Sequence, residues 1–324
     1  MDIPIDLESI QAAADRIAPY VVRTPVLTSH SLDQASGASV FLKCENFQKI
    51  GAFKFRGAMN AVLLLDDSQR KRGVITHSSG NHGQALAKAG QMLGVPVCVV
   101  MPRTAPAVKR RATEDFGAIV ELCEPTQQAR ESTVQRLIDQ HGYEMVHPFN
   151  DWRVIAGQGT AALELLEQSG PLDVVITPIG GGGLASGTSI AVKSLSPGTR
   201  VIGVEPARAD DAMRSMISGK IESSGDPKTM ADGLRTSLGD KTFAVIQKNV
   251  DEIVTATEEE MLAALRFVWE RFKIIIEPSC AVPVAPVLHR NLDLAGKRVG
   301  IIITGGNVDL DAYFDSLKAK FIES

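Results

Sequence analysis

Near the start of the chain apolar positions recur at helical spacing: Leu7, Ile10, Ala14 and Ile17 follow the acidic start Asp6, with Pro19 close behind, which predicts a first helix. VFLKCE (40–45) predicts a strand, and the segment from Phe55 to Leu65 is rich in helix formers, with apolar residues on more than one face. From residue 73 the pattern alternates. GVITHS, VPVCVVM, AIVELCE and EMVHPF are short β-branched or apolar runs, separated by helical stretches near 80–93, 105–116 and 126–140. It resumes with DVVITPI (173–179), a helix, RVIGVE (200–205), a long helical region and RVGIIIT (298–304). Strand alternating with helix predicts an α/β fold with parallel units. The late strands are nearly continuous apolar runs, as in a sheet covered on both faces. No repeat or low-complexity linker interrupts the pattern; its softest stretch is SGDPK (224–228).

Composition narrows the partners. At 324 residues the chain is long enough for two lobes, since single cores stop growing at about 250 to 300 residues. The net charge is -4, with both signs interspersed and no basic run, so neither nucleic acid nor a membrane surface is an expected partner and the ligand is small. Cys44, Cys98, Cys123 and Cys280 are scattered without a C-x-x-C pair or zinc spacing; they predict reduced thiols in a cytoplasmic protein. MDIPIDLESI lacks the cationic start and apolar run of a signal peptide. No window supplies the ~18 consecutive apolar residues of a membrane span.

Five places carry candidate chemistry. In GAFKFRGAMN (51–60), Lys54 stands between Phe53 and Phe55: either its stem lies along apolar surface, or its amine is desolvated to work near neutral pH. THSSGNHGQ (76–84) follows a strand and precedes a small-residue helix, so Ser78, Ser79, Asn81, His82 and bare N–H groups point to a carboxylate or phosphate site, where capping alone needs fewer such residues. PIGGGGLASG (178–187) places Gly180, Gly181, Gly182 and Gly183 between strand and helix. Their entropic cost argues against a packing choice and for a phosphate cradle. The same loop satisfies G-x-G-x-x-A with Glu205 at the end of the next strand, so an NAD-dependent dehydrogenase is the rival reading. Glu205 and Asp211, with a carbonyl between them, are hard oxygen ligands for Mg²⁺, Ca²⁺ or Mn²⁺, or else ordinary helix caps. In ITGGNVD, Thr304 ends the last apolar strand, its hydroxyl placed for a ring nitrogen or for capping.

Together GAFKFRG, SSGNHGQ, IAGQGT, GGGGL, ADGL, IEPSCAV and TGGNVD resemble the fold-type II pyridoxal-phosphate enzymes, in the branch of serine racemase, catabolic serine/threonine dehydratase and 3-hydroxyaspartate dehydratase. The resemblance runs from about residue 20 to residue 310. It implies two open, mostly parallel sheets flanked by helices, with pyridoxal 5'-phosphate between a large domain (1–72 and 150–324) and a small substrate-closing domain (73–149). Lys54 is then similar to the residue that bonds the cofactor, Phe53 to the one packed on its ring, Asn81 to the partner of the ring hydroxyl, Gly180–Gly183 to the phosphate cradle and Thr304 to the ring-nitrogen partner, usually a serine. Ser78, Ser79, Asn81, His82 and Arg130 match substrate-binding positions, and Glu205, the Ala209 carbonyl and Asp211 match a divalent-cation site.

The chemistry implied is β-elimination from a β-hydroxy amino acid, releasing water and then ammonia. The freed Lys54 amine takes the α-proton, and Ser79 stands where racemisation needs a second acid/base. HPFND and EPSCAVP are similar to the hydroxyaspartate dehydratases, so 3-hydroxyaspartate is the favoured substrate, with serine racemase or L-serine/L-threonine dehydratase as the alternative. A non-enzymatic sensor on this fold would not require Lys54. The branch further implies a homodimer. Nucleotide activation is not expected, because His30 stands in TSH in place of a second serine. Nor is the feedback control of biosynthetic threonine dehydratases, because too little chain follows residue 310 for their regulatory domain.

Overall fold

The structure is a computed structural model that describes residues 3–105 and 107–310; the expectation about the chain after 310 therefore lies outside the described residues. The chain begins with α1 (Leu7–Ile17), β1 (Val26–Leu27), α2 (His30–Ser36), β2 (Ser39–Cys44), α3 (Lys54–Leu63) and α4 (Asp67–Arg72). There follow β3 (Val74–His77), α5 (Asn81–Leu93), β4 (Val97–Pro102), α6 (Ala107–Glu114), β5 (Ile119–Cys123), α7 (Gln127–His141) and β6 (Glu144–Met145). The remainder is α8 (Trp152–Ser169), β7 (Val174–Pro178), α9 (Gly183–Leu195), β8 (Arg200–Pro206), α10 (Asp211–Ser218), α11 (Asp240–Asn249), β9 (Glu252–Ala256), α12 (Glu258–Phe272), α13 (Pro278–Leu288) and β10 (Arg298–Ile303).

Two sheets form, as the alternation predicts. One has the order β1-β2-β10-β7-β8-β9, parallel except for the β1–β2 pair, and the other the all-parallel order β5-β4-β3-β6. The larger sheet is covered on one face by α13 with α12, and on the other by residues of α8, α9 and α11 with Ile10 of α1. α13 is buried almost all round, which is why PSCAVPVAPVL has no polar stripe. On the smaller sheet, α3 and α5 share one core with β3 and β4, and α7 packs on the opposite face. α3 also packs against α8, so the helix that begins at Lys54 lies between the two halves. The first helix is closed by a capping box in which Asp6 Oδ1 accepts from Ser9 N at 3.0 Å and Asp6 N donates to Ser9 Oγ at 3.3 Å, a motif worth ~1 kcal/mol.

Two local expectations are corrected, and one short strand had not been expected. The "long helical region" after β8 contains β9, an edge strand whose half-buried EIVTA lacks the continuous apolar run of its neighbours. β1 is only two residues long and escapes any periodicity. EMVHPF is a strand only at Glu144–Met145, because the chain turns away as the N–H groups of Phe149 and Asn150 donate to His147 Nδ1 at 3.3 and 2.9 Å.

Candidate active site

The candidate loops leave the carboxyl ends of β3, β7, β8 and β10, the edge at which ligands bind in open α/β sheets. Lys54 is brought to this edge by pairing between distant segments. Phe53 N donates to Thr304 O at 2.9 Å, Gly306 N donates to Gly51 O at 2.9 Å, and Ala52 forms an antiparallel bridge with Gly305. Lys54 Nζ donates to Pro148 O at 2.7 Å and lies 5.2 Å from the Phe53 ring centroid. The residue keeps some access to the cleft. Burial pulls its amine down to about 8, against the opposing pull of the Glu277 carboxylate. This burial accords with the desolvated alternative.

The residue after Pro148 covers the glycine loop. A Cβ on Gly181 would lie 2.3 Å from the Phe149 ring, and one on Gly180 would lie 3.0 Å from Leu234 Cα. Gly182 adopts φ +86°, a left-handed conformation. The expectation that these glycines serve no packing is therefore corrected: the loop is buried, and side chains there would collide. Its N–H groups remain available, for no acceptor among the described residues meets those of Gly180–Gly183. Four bare donors at the start of α9 fit the phosphate of pyridoxal phosphate.

Around the start of α5, Asn81 Nδ2 donates to both carboxylate oxygens of Glu277 at 3.1 and 3.0 Å, and Asn81 Oδ1 accepts from Asn307 Nδ2 at 2.8 Å. Ser78 Oγ accepts from Gly80 N at 3.3 Å. Ser79 makes no hydrogen bond with a described residue, and Gly80, not Ser79, is the N-cap. His82 is 2% exposed; its Nε2 is 3.1 Å from Val146 O, while Nδ1 has no partner among the described residues. Burial holds this imidazole neutral, and it pushes His147 down to about 3. The rings of His77, His147 and Phe149 meet edge to face in a row, with centroids 5.5 and 4.6 Å apart. Burial lowers the His77 pKa, and the charge of Arg130, on α7, adds to that direction; the Arg130 Nε is buried and unpartnered among the described residues.

The carboxylates at the end of β8 are fully buried. Glu205 accepts from Ala212 N at 3.0 Å and Met213 N at 2.8 Å, and Asp211 Oδ2 accepts from Leu238 N at 3.2 Å. Burial raises them to about 8 and about 6. Asp211 Oδ1 has no partner among the described residues. Glu205 thus caps α10, yet an orphaned buried carboxylate oxygen beside it fits a cation. Among the described residues no cluster of three or more His, Cys, Asp or Glu side chains forms a metal site, so such a cation would rely on these two acids and the Ala209 carbonyl.

Sequence reasoning assigned no role to Glu277, Asn307 or Phe149. Glu277 precedes Pro278, and that order reads as a helix start. Its side chain makes no cap but turns to Asn81, 5% exposed, and burial raises it to about 7. No local signal could have announced this, because Asn81 lies 196 residues away. Phe149 had one available cue, its place in HPFND.

The described residues contain no helix long and apolar enough to cross a membrane. The chain is 50% identical over 304 residues, 94% of its length and 96% of the relative's, to the beta-hydroxyaspartate dehydratase of Paracoccus denitrificans. It is 47% identical over 309 residues, 95% of each chain, to the L-threo-3-hydroxyaspartate ammonia-lyase of Saccharomyces cerevisiae. The crystal structure of serine racemase from Dictyostelium discoideum superposes with a TM-score of 0.91 at 49% identity, covering 94% of this chain and 99% of that one. These likenesses leave the NAD reading of GGGGLA without support, and Glu205 is occupied by the α10 N–H groups. Residues 17–305 match the family described as "Pyridoxal-phosphate dependent enzyme", and the chain belongs to that family of fold-type II pyridoxal-phosphate enzymes.

Proposed function

We propose that the protein is a dehydratase/ammonia-lyase of a β-hydroxy amino acid, with 3-hydroxyaspartate as preferred substrate. The observation that carries this reading is Lys54: an amine near neutrality, bonded to Pro148 O, one residue from the Phe149 ring that lies on the bare-N–H glycine loop. Bound pyridoxal phosphate supplies an electron sink for the substrate α-carbon. Gly180–Gly183 would hold the phosphate, Asn81 would meet the ring hydroxyl and Thr304 would meet the ring nitrogen as a neutral hydroxyl. The Ser78–His82 turn takes the substrate carboxylate at the start of α5. The Lys54 amine takes the α-proton and returns it to the β-hydroxyl, which departs as water; the released enamine tautomerises to an imine, which a second water hydrolyses to the keto acid and ammonia. His82, neutral and bonded to Val146 O, orients that turn and carries no charge to the substrate.

The dicarboxylate preference is supported by Arg130, whose buried Nε lacks a partner among the described residues, and by the dehydratase and ammonia-lyase relatives. A second reading, serine racemase, is favoured by Ser79, a hydroxyl with no competing hydrogen bond among the described residues, which could return a proton from a second direction. We further take residues 73–149 as the substrate-closing domain, Glu205, Ala209 O and Asp211 as a Mg²⁺, Mn²⁺ or Ca²⁺ site, and the active form as a cytoplasmic homodimer. Side-by-side kinetics on 3-hydroxyaspartate, L-serine and L-threonine test the reading: the highest kcat/KM on 3-hydroxyaspartate is expected, and a preference for L-serine would overturn it.

A further inference from the structure

Thr304 is 3% exposed, so its hydroxyl cannot trade partners with bulk water and has to be satisfied from within. The side-chain atom that meets it is Cys280 Sγ, 3.1 Å from Oγ1. That sulfur is itself held. Gly305 N donates to it at 2.9 Å, and the thiol donates to Gly305 O at 2.9 Å. Cys280 sits fully buried in the first turn of α13, its N–H bonded to Glu277 O, and burial keeps the thiol protonated.

A thiol has one hydrogen. With that hydrogen on Gly305 O, the contact with Thr304 is an O–H donating into sulfur, a weak acceptor. We propose that Cys280 is a positioning residue for Thr304: its thiol can turn its one hydrogen from Gly305 O to Thr304 Oγ1, so that the oxygen stays held when the hydroxyl hydrogen is given to a stronger acceptor in the cleft. The inference rests on reading Thr304 as the partner of the cofactor's ring nitrogen. That nitrogen would then receive a hydrogen bond from a neutral hydroxyl whose oxygen is held by an uncharged neighbour. Alanine at 280 leaves the hydroxyl without a partner and free to turn, whereas serine keeps a polar one.

The test is a double-mutant cycle on the holoenzyme, read by the visible band of the bound cofactor and by kcat and KM separately. Cys280→Ala is expected to shift the band and lower kcat about three- to tenfold, the worth of one modest hydrogen bond, with little change in KM. Cys280→Ser should lie closer to the parent in both respects. In a Thr304→Val background the Cys280→Ala change should add nothing further. Additive effects, or a serine variant no nearer the parent than the alanine one, would overturn the proposal and leave Cys280 as packing. If Thr304→Val alone moves neither band nor kcat, the ring-nitrogen role fails and takes this inference with it, while a yellow protein that borohydride bleaches through Lys54 keeps the enzyme reading intact.

Discussion

Arg56 and Glu45 meet as a two-pronged ion pair, Nε to Oε2 at 2.7 Å and Nη2 to Oε1 at 2.8 Å, with neither side chain exposed, two residues beyond Lys54. The other edge of the guanidinium grips Glu164 at 2.7 and 2.9 Å, and Lys43 donates to Glu164, Gln168 Oε1 and Thr24 O. Two cations and two carboxylates thus balance at the root of α3. Desolvation offsets much of what such a pair contributes, but removing one partner strands the other. Arg56→Met is expected to lower the unfolding free energy by about 3–5 kcal/mol, measured by urea denaturation of the cofactor-free protein. A loss below about 1 kcal/mol, the range of surface pairs, would contradict the burial argument.

Lys54→Ala should lose both the visible band and turnover, because no other amine has the same reach. A pH dependence follows from its lowered pKa. Only the neutral amine attacks an aldehyde, so covalent uptake of the cofactor by stripped protein should quicken as pH rises to about 8 and level off above it. An ordinary surface lysine would still be accelerating at about pH 10. Stopped-flow absorbance across that range separates the two.

Ser79→Ala is expected to abolish interconversion of serine enantiomers and any use of the D-form, while L-elimination persists in part. Proton transfer from the second direction depends on Ser79, and the Lys54 step does not. Chiral chromatography after incubation with each enantiomer reads this out. Because Gly80 occupies the cap position, little change in melting temperature should accompany the loss.

Chelation should lower activity and melting temperature together, with Mg²⁺, Mn²⁺ or Ca²⁺ restoring both, since an ion held only by the folded state stabilises it by mass action. Asp211→Asn should be indifferent to chelator. It also removes a buried, half-satisfied carboxylate, so in chelator it should melt higher than the parent. A parent protein unmoved by verified metal removal would leave Glu205 as a cap for α10 and nothing more.

Arg130→Ala is expected to narrow the advantage of 3-hydroxyaspartate over L-serine by roughly 2 to 5 kcal/mol in kcat/KM if the guanidinium meets the distal carboxylate out of water. An equal penalty on all three substrates would instead mark Arg130 as structural support for α7.

The alternation from residue 73, the strand-to-helix loops and the lysine between two phenylalanines were legible in the sequence, because each is a local pattern of side-chain period and turn chemistry. Motif order carried the rest of the family likeness. What the tertiary structure decided were relationships across sequence distance and burial. The Ala52–Gly305 bridge sets Lys54 beside Thr304, and the Phe149 ring on Gly181 makes the glycine loop close-packed as well as permissive. Glu277 faces Asn81 where its position promised a helix cap, and Lys43, in the strand VFLKCE, is wholly buried in an ion network. None of these could be read from neighbouring residues: the pKa of Lys54, the partner of Glu277 and the clearance above Gly181 depend on which distant atoms exclude water, and only the packed fold brings those atoms together.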